Sequence, residues 1–358
     1  MGQRATSATR ASGYGAEVDT IERILGTYPR VVLGHWPTPL EPLDRLRAVI
    51  GGPRIWCKRD DCSGLAFGGN KTRKLEFLLG RALADGADTV ITFGALQSNH
   101  ARQTAAACAR LGLACHLILT EAVDRTDAAY LGSGNLLLDR LFGAQFHVVA
   151  DPDAAFHHFA ALDEELVAGR AVVATIGPGG SDPIGTLGYV AGAAELGGQC
   201  RAAGIEPVAV FVAASTAGTA AGLSVGRALG AFRAPVHAAC VYTSAAETAS
   251  ALGSLTEATA EELERHGATG VDRAAAAAVV TDTTLGEGYG IPSAAGEHAI
   301  DLLARREGLL LDPVYTAKAF ATLLRAVHAG EFPDDADVVF VHTGGAPGLF
   351  AYAAGAPS

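Results

Sequence analysis

Nine short runs of apolar, largely β-branched residues alternate along the chain with stretches of helical periodicity, and this alternation constrains the fold more than any other feature. The runs fall at 55–58, 89–93, 115–119, 146–150, 171–176, 208–214, 236–242, 279–281 and 338–342. Helical patterns cover 72–84, 100–111, 135–141, 154–168, 183–201, 219–230, 245–266, 293–306 and 316–329. Continuous apolar strands separated by helices signal an α/β chain with parallel sheets. Nine strands suit a closed barrel or two doubly wound sheets with a cleft between them, and periodicity leaves both open.

Composition narrows the classes. A chain of 358 residues, 49% hydrophobic and 18% charged, buries a large core and is not disordered. Six cysteines are too dilute for a disulfide scaffold and form no C-x-x-C pair, so reduced core cysteines and no metal are expected. A net charge of −11 argues against a nucleic-acid partner. No run approaches the ~18 apolar residues of a membrane span, so no membrane partner is expected. The first twenty residues lack the apolar core of a secretory signal. Residues 1–20 are therefore expected to form a flexible arm, and the chain to be cytoplasmic.

The 44 glycines cluster in four loops that can hold chemistry. The first contains Phe67-Gly68-Gly69-Asn70-Lys71-Thr72-Arg73-Lys74. Gly64 and Gly69 have the spacing of a P-loop, but Asn70 intervenes before the lysine and spoils the cradle. Lys71, Arg73 and Lys74 crowd a helix start, where positive charge opposes the helix dipole. A bound anion, or a lysine converted to an imine, would relieve that cost. The second loop, Gln97-Ser98-Asn99-His100, lies between a strand and a helix. Ser98 or Asn99 suffices as an N-cap, and the free N–H groups there suit a carboxylate.

The third loop, Ser215-Thr216-Ala217-Gly218-Thr219, has small side chains that let backbone N–H groups converge as a phosphate cup. It fails as a dinucleotide fingerprint, which needs glycine at Thr216 and Ala221. The fourth region joins Gly288-Tyr289-Gly290, Asp312-Pro313-Val314-Tyr315-Thr316 and His342-Thr343-Gly344-Gly345-Ala346-Pro347. A tyrosine between glycines can project into a cleft.

Taken in order, these phrases resemble the pyridoxal-phosphate (PLP) enzymes of the tryptophan-synthase-β-like fold, fold type II. More narrowly they are similar to the branch of D-cysteine desulfhydrases and 1-aminocyclopropane-1-carboxylate (ACC) deaminases, and closer to the former. The resemblance implies an α/β chain of two domains, each an open, twisted, mostly parallel sheet flanked by helices, with the cofactor in the cleft between them. Residues 21–70 and 183–358 would form the large PLP-binding domain, and 71–182 the small one. Lys71 would hold the cofactor as a Schiff base, its pKa lowered by neighbouring cations. Lys74, Thr216, Ala217, Gly218 and Thr219 would hold the phosphate, Asn99 the ring hydroxyl, and Thr316 would sit against the pyridine nitrogen. Ser98, Asn99 and His100 would bind the substrate carboxylate. Tyr289 and Tyr315 would line the substrate face as acid, base or orienting groups, with Lys71 or Ser98 a further base.

Thr316 helps choose within the branch. ACC deaminases typically carry glutamate there, which keeps the pyridine nitrogen protonated, whereas a hydroxyl suits loss of a good β leaving group. His100 and Ala217 lean the same way. The expected reaction is β-elimination from a small amino acid, D-cysteine first, giving pyruvate, hydrogen sulfide and ammonia. The alternatives are ACC deamination, a sulfo-lyase acting on cysteate, and a related β-eliminating or β-replacing enzyme. Two loops depart from the desulfhydrase pattern and leave room for a changed substrate. The cup lacks some glycines and a histidine near Ala220, and Gly177-Pro178-Gly179-Gly180-Ser181-Asp182 keeps only part of a Gly-Gly-Ser-Asn turn. A homodimer is the family expectation.

Overall fold

Two open sheets organise the protein. The computed structural model describes residues 8–353, with the backbone alone for residues 8–16. The strands are β1 (Leu40–Pro42), β2 (Arg54–Lys58), β3 (Thr89–Ala95), β4 (Ala114–Thr120), β5 (Gln145–Val149), β6 (Val173–Ile176), β7 (Pro207–Ala214), β8 (Val236–Cys240), β9 (Val279–Thr281) and β10 (Asp337–Val341). The helices are α1 (Ala8–Leu25), α2 (Asp44–Ile50), α3 (Lys71–Ala84), α4 (Asn99–Leu111), α5 (Ala128–Gly132), α6 (Gly134–Leu141), α7 (Pro152–Ala168), α8 (Pro183–Ala203), α9 (Gly218–Ala228), α10 (Ala245–Arg265), α11 (Ala294–Glu307), α12 (Thr316–His328) and α13 (Ala346–Ala351).

The larger sheet runs β1-β2-β10-β7-β8-β9 and the smaller β5-β4-β3-β6. Neither closes, so the barrel alternative falls. Every pairing is parallel except β1 with β2. The tenth strand was not expected: β1 is three residues ending in proline, which a sheet accepts at its edge.

The period-two alternation of side chains builds a core on each face of the larger sheet. From β10, Val339 and Val341 join Val190, Leu223 and Leu263 of α8, α9 and α10. Its alternate residues Val338 and Phe340 join Leu303, Phe320 and Leu323 of α11 and α12. The smaller sheet is layered likewise. Val90 and Leu117 pack with Leu75 and Ala105 of α3 and α4, while Ile91 and Ile118 pack with Ala155 and Leu162 of α7.

Within the stretch expected as an arm, residues 1–20, the chain is helical from Ala8, and the same helix α1 runs on to Ile21 and Ile24, which are buried against the α8 layer. Residues 1–7 lie outside the described residues. Helix α3 crosses close to α8, because Gly188 leaves room: a Cβ there would lie 2.3 Å from the Arg73 carbonyl. This crossing joins the two sheets and sets the wall on which Lys71 and Lys74 stand. Among the described residues no helix is long and apolar enough to cross a membrane, and no cluster of His, Cys, Asp or Glu could hold a metal ion.

Candidate active site

One cavity of about 440 Å³ opens where strands of both sheets end and the helices after them begin. Ligand sites of open α/β sheets form at these carboxyl ends. Lys71, Lys74, Ser98, Asn99, His100, Thr216, Ala217, Gly218, Thr219, Tyr289 and Tyr315 all line it.

Lys71 is the first residue of α3. The turn before it is pinned by backbone bonds from Gly69 N–H to the Asp60 carbonyl (3.0 Å) and from Asn70 N–H to the Thr343 carbonyl (3.0 Å). Among the described residues no hydrogen bond or ion pair holds the Lys71 ammonium. Burial pushes its pKa down to about 8, since a low-dielectric wall disfavours the charged form. The expected cause was neighbouring cations, and desolvation replaces it.

The crowding of positive charge at this helix start also resolves differently. Arg73 turns away from the cavity, donates to Asp60 from Nε (2.8 Å) and Nη2 (2.9 Å), and reaches Glu195 at 2.8 Å. For Arg73, two carboxylates offset that charge.

Lys74 stays at the cavity and donates to the Gly179 carbonyl (3.0 Å) and Ser181 Oγ (2.9 Å). Burial, then the charge of Lys71, pushes its pKa well down. Ser181 Oγ lies 2.7 Å from Thr216 Oγ1, and Asn70 Nδ2 donates to Thr219 Oγ1 at 2.9 Å. Ala217 takes the left-handed conformation, φ 61°, as the chain turns into α9. Gly218 is required by space: a Cβ would lie 2.4 Å from Lys74 Nζ and 2.6 Å from Ser181 Oγ. A helix N-terminus, the Lys74 side-chain nitrogen and the hydroxyls of Ser181, Thr216 and Thr219 thus converge on a small cradle, the chemistry of an anion site.

Of the two cap candidates, Ser98 is the N-cap of α4, and its Oγ accepts from Ala101 N–H at 3.1 Å. Asn99 is aimed by Asn135, whose Nδ2 donates to Asn99 Oδ1 at 3.0 Å. His100 is buried, with Nε2 2.8 Å from Thr92 Oγ1 and Nδ1 lacking a hydrogen-bond partner among the described residues. Burial, then the charges of Lys71 and Lys74, holds His100 well below its usual range and therefore neutral. Tyr289 and Tyr315 share a 2.5 Å bond between their hydroxyls. Burial pushes Tyr289 up to about 12 and Tyr315 well up, so both stay protonated at neutral pH.

Thr316 is the expected site residue that the structure does not bring to the cavity wall. It is fully buried, donates to Asp312 Oδ1 at 2.6 Å and accepts from Asp312 N–H at 2.8 Å. Asn70, Gly179, Thr343 and Gly344, which sequence reasoning quoted within motifs without an individual role, also line the cavity, as does an apolar group including Phe156 and Tyr242 that it missed. The last group had no local signal, because only tertiary folding sets α7 and the end of β8 beside the cavity.

Residues 31–344 match the family model of pyridoxal-phosphate dependent enzymes. Among solved structures the chain is similar to an ACC deaminase homologue, at 36% identity over 93% of this chain and 97% of that one, with a TM-score of 0.82. It shares the fold of the processed form of threonine deaminase isoform 2 from Solanum lycopersicum, at 16% identity over 95% of this chain and 85% of that one, TM-score 0.62. It also shares the fold of a hydrogen sulfide-producing enzyme from Fusobacterium nucleatum, at 13% identity over 87% of this chain and 96% of that one, TM-score 0.60.

Proposed function

Because the chain belongs to the pyridoxal-phosphate-dependent enzymes, we propose that it is a carbon–sulfur lyase that eliminates the β-substituent of a small amino acid, D-cysteine first, to give pyruvate, hydrogen sulfide and ammonia. One observation carries the reading: a single cavity unites a lysine of lowered pKa, an anion cradle, a helix start and a hydrogen-bonded tyrosine pair.

The residues fit the cofactor. Lys71 is the lysine that would hold it covalently. The cradle of Lys74, Thr216, Ala217, Gly218 and Thr219, which a single Cβ at Gly218 would fill, suits its phosphate. Asn99, held by Asn135, would serve the ring hydroxyl. When bound, pyridoxal phosphate supplies an electron sink that acidifies the substrate Cα–H bond.

The chain's own residues do the rest. The N–H groups at the start of α4, with Ser98 and neutral His100, bind the substrate carboxylate without a full positive charge. Burial lowers Lys71 to about 8, far nearer neutrality than an exposed lysine, so it accepts the α-proton as a neutral amine increasingly as pH rises through 8. The Tyr289–Tyr315 pair keeps both protons and donates to the departing β-substituent. Two alternatives are weighed by charge. Cysteate would need a further cation, and among the described residues Lys71 and Lys74 are the only lysines or arginines lining the cavity. ACC deamination is favoured by the 36% identity to an ACC deaminase homologue. Against it, no aspartate or glutamate among the described residues lines the cavity to keep a pyridine nitrogen protonated.

Incubating the holoenzyme with D-cysteine, L-cysteine, cysteate and ACC in parallel tests the reading. Sulfide and pyruvate should appear from D-cysteine, and the visible absorption of the bound cofactor should be lost in Lys71→Ala. Release of α-ketobutyrate from ACC without sulfide from cysteine would move the assignment to the deaminase.

A further inference from the structure

The polar groups of the cavity gather at one side, and the rest of its wall is apolar. Phe93, Ala95, Ala122, Pro152, Ala155 and Phe156 line it from the ends of β3 and β4 and from the start of α7. None carries a polar side chain. Phe93 is braced edge-on by Phe159, with ring centroids 5.5 Å apart. From the larger sheet, Tyr242 stands perpendicular to Tyr289 at 5.1 Å. An aromatic surface therefore continues outward from the tyrosine pair.

Two of these rings are poorly covered by protein: Phe156 is 68% and Tyr242 49% exposed. Apolar surface exposed around a concave site marks where a ligand is received. The substrate carboxylate is assigned to the start of α4 and the anionic group to the α9 cradle. What remains for the β-substituent is this charge-free, aromatic wall. Its polar atoms are few, the hydroxyl of Tyr242 and that of Thr120, which lies 3.4 Å from the Gly94 carbonyl, and it offers no cation to a sulfonate or a carboxylate.

We propose that this wall receives an apolar group carried on the β-sulfur, so that the favoured substrates are S-alkyl and S-aryl cysteines, with free cysteine the smallest member of the class. The chemistry rests on the elimination reading above. The Cα–H and Cβ–S bonds break and a Cα=Cβ bond forms. The sulfur leaves as a thiolate that takes up the proton, and water hydrolyses the released enamine to pyruvate and ammonia. No oxidant or reductant is needed, and a thiol replaces sulfide as the product.

The test measures binding and turnover separately. Binding of two unreactive analogues to the holoenzyme is followed by calorimetry: homophenylalanine, an isostere of S-phenylcysteine, and α-aminobutyrate, an isostere of cysteine, each as both enantiomers. One enantiomer of homophenylalanine should bind at least about tenfold tighter than the matching α-aminobutyrate, the scale on which apolar pockets discriminate. Phe156→Asp should abolish that preference, and Phe156→Leu should retain most of it. Because Phe156 is largely exposed, neither change removes core packing. In turnover, kcat/KM for S-phenylcysteine should exceed that for cysteine, and the ratio should fall in Phe156→Asp by at least about tenfold. Equal affinity for the two analogues, or a preference untouched by Phe156→Asp, overturns the proposal. Tight homophenylalanine binding without pyruvate from any cysteine would leave the apolar wall standing and discard the elimination chemistry instead.

Discussion

Lys71 sits where a lysine is poorly solvated, and the energetic consequence can be measured without any substrate. Its pKa is pushed from 10.5 down to about 8 by burial, so the unfolded chain holds this proton more tightly than the folded one. Below pH 8 the residue therefore costs stability, and the cost shrinks as pH rises from about 8 towards 10.5. Allowing for its partial accessibility through the cavity, the cost is about 2–3 kcal/mol at neutral pH. Cofactor-free Lys71→Met should be more stable than the cofactor-free parent by that amount at pH 7, and the gap should narrow by pH 10. Urea denaturation of both proteins at the two pH values reads this directly, and a gap independent of pH would show that the lysine is not strained. The lysine proposed to hold the cofactor was legible in sequence as one that follows a glycine turn at a helix start, in a phrase that resembles the family's. The cause of its low pKa was not legible, because Arg73 two residues on turns into a carboxylate pair that no local pattern announces.

At the scale of elements, the loop carrying Tyr289 is held by a cation on another element. Lys318, in the first turn of α12, is fully buried and donates to the carbonyls of Leu285 (2.8 Å) and Gly288 (2.7 Å). The Lys318 carbonyl in turn accepts from Thr284 Oγ1 at 2.9 Å. The tyrosine hydroxyl thus meets Tyr315 because α12 grips the backbone just before it. Lys318→Met leaves two carbonyls without their donor, and an unsatisfied buried polar group costs about 1–3 kcal/mol. Amide exchange over 285–290 should quicken about tenfold or more at that cost, and kcat should fall, with partial rescue by Lys318→Arg. Burial pushes Lys318 down to about 8, partly opposed by Asp312, so in the parent protein the grip should loosen as pH rises through 8 and the bonds lose their charge assistance. Loop protection, taken relative to intrinsic exchange at each pH, that is unchanged by the substitution or by the pH would refute the role. Sequence periodicity located α12 and its loop but not the grip between them, since the partners lie thirty or more residues apart. Thr316 shows the same limit: its position in the motif pointed at the cavity, whereas its hydroxyl is committed to Asp312.

For the whole molecule, the alternation of strands and helices specified two layered sheets or a barrel, and only long-range pairing decided. That pairing brings α3 from one side and α8 from the other into contact, and the seam is polar as well as small. Asp60 accepts from Arg73, from Tyr189 Oη (2.6 Å) and from Thr38 Oγ1 (2.6 Å). Glu195 of α8 pairs with both Arg73 and Lys58, and the Arg73 guanidinium lies over Trp36, 4.0 Å from the ring centroid. This one network ties together β2, α3, α8 and the segment around residues 36–38, so it fixes the floor on which the cavity's lysines stand. Burial alone would raise the Asp60 carboxyl, but Arg73 outweighs it and holds it well below the usual carboxylate range, and the same balance lowers Glu195. Both carboxylates are thus charged in the folded state at pH values where the unfolded chain has begun to protonate them. Their stabilisation is fully present at neutral pH and is lost as pH falls below about 4. Asp60→Asn removes one partner of a buried pair, a change that costs about 3–5 kcal/mol. Urea denaturation should show that loss at pH 7. On acidification from pH 5 to pH 3 the variant should lose less further stability than the parent. A variant as stable as the parent at pH 7, or equally sensitive to acid, would mean that apolar packing around Gly188, rather than the ion network, holds the two sheets in register.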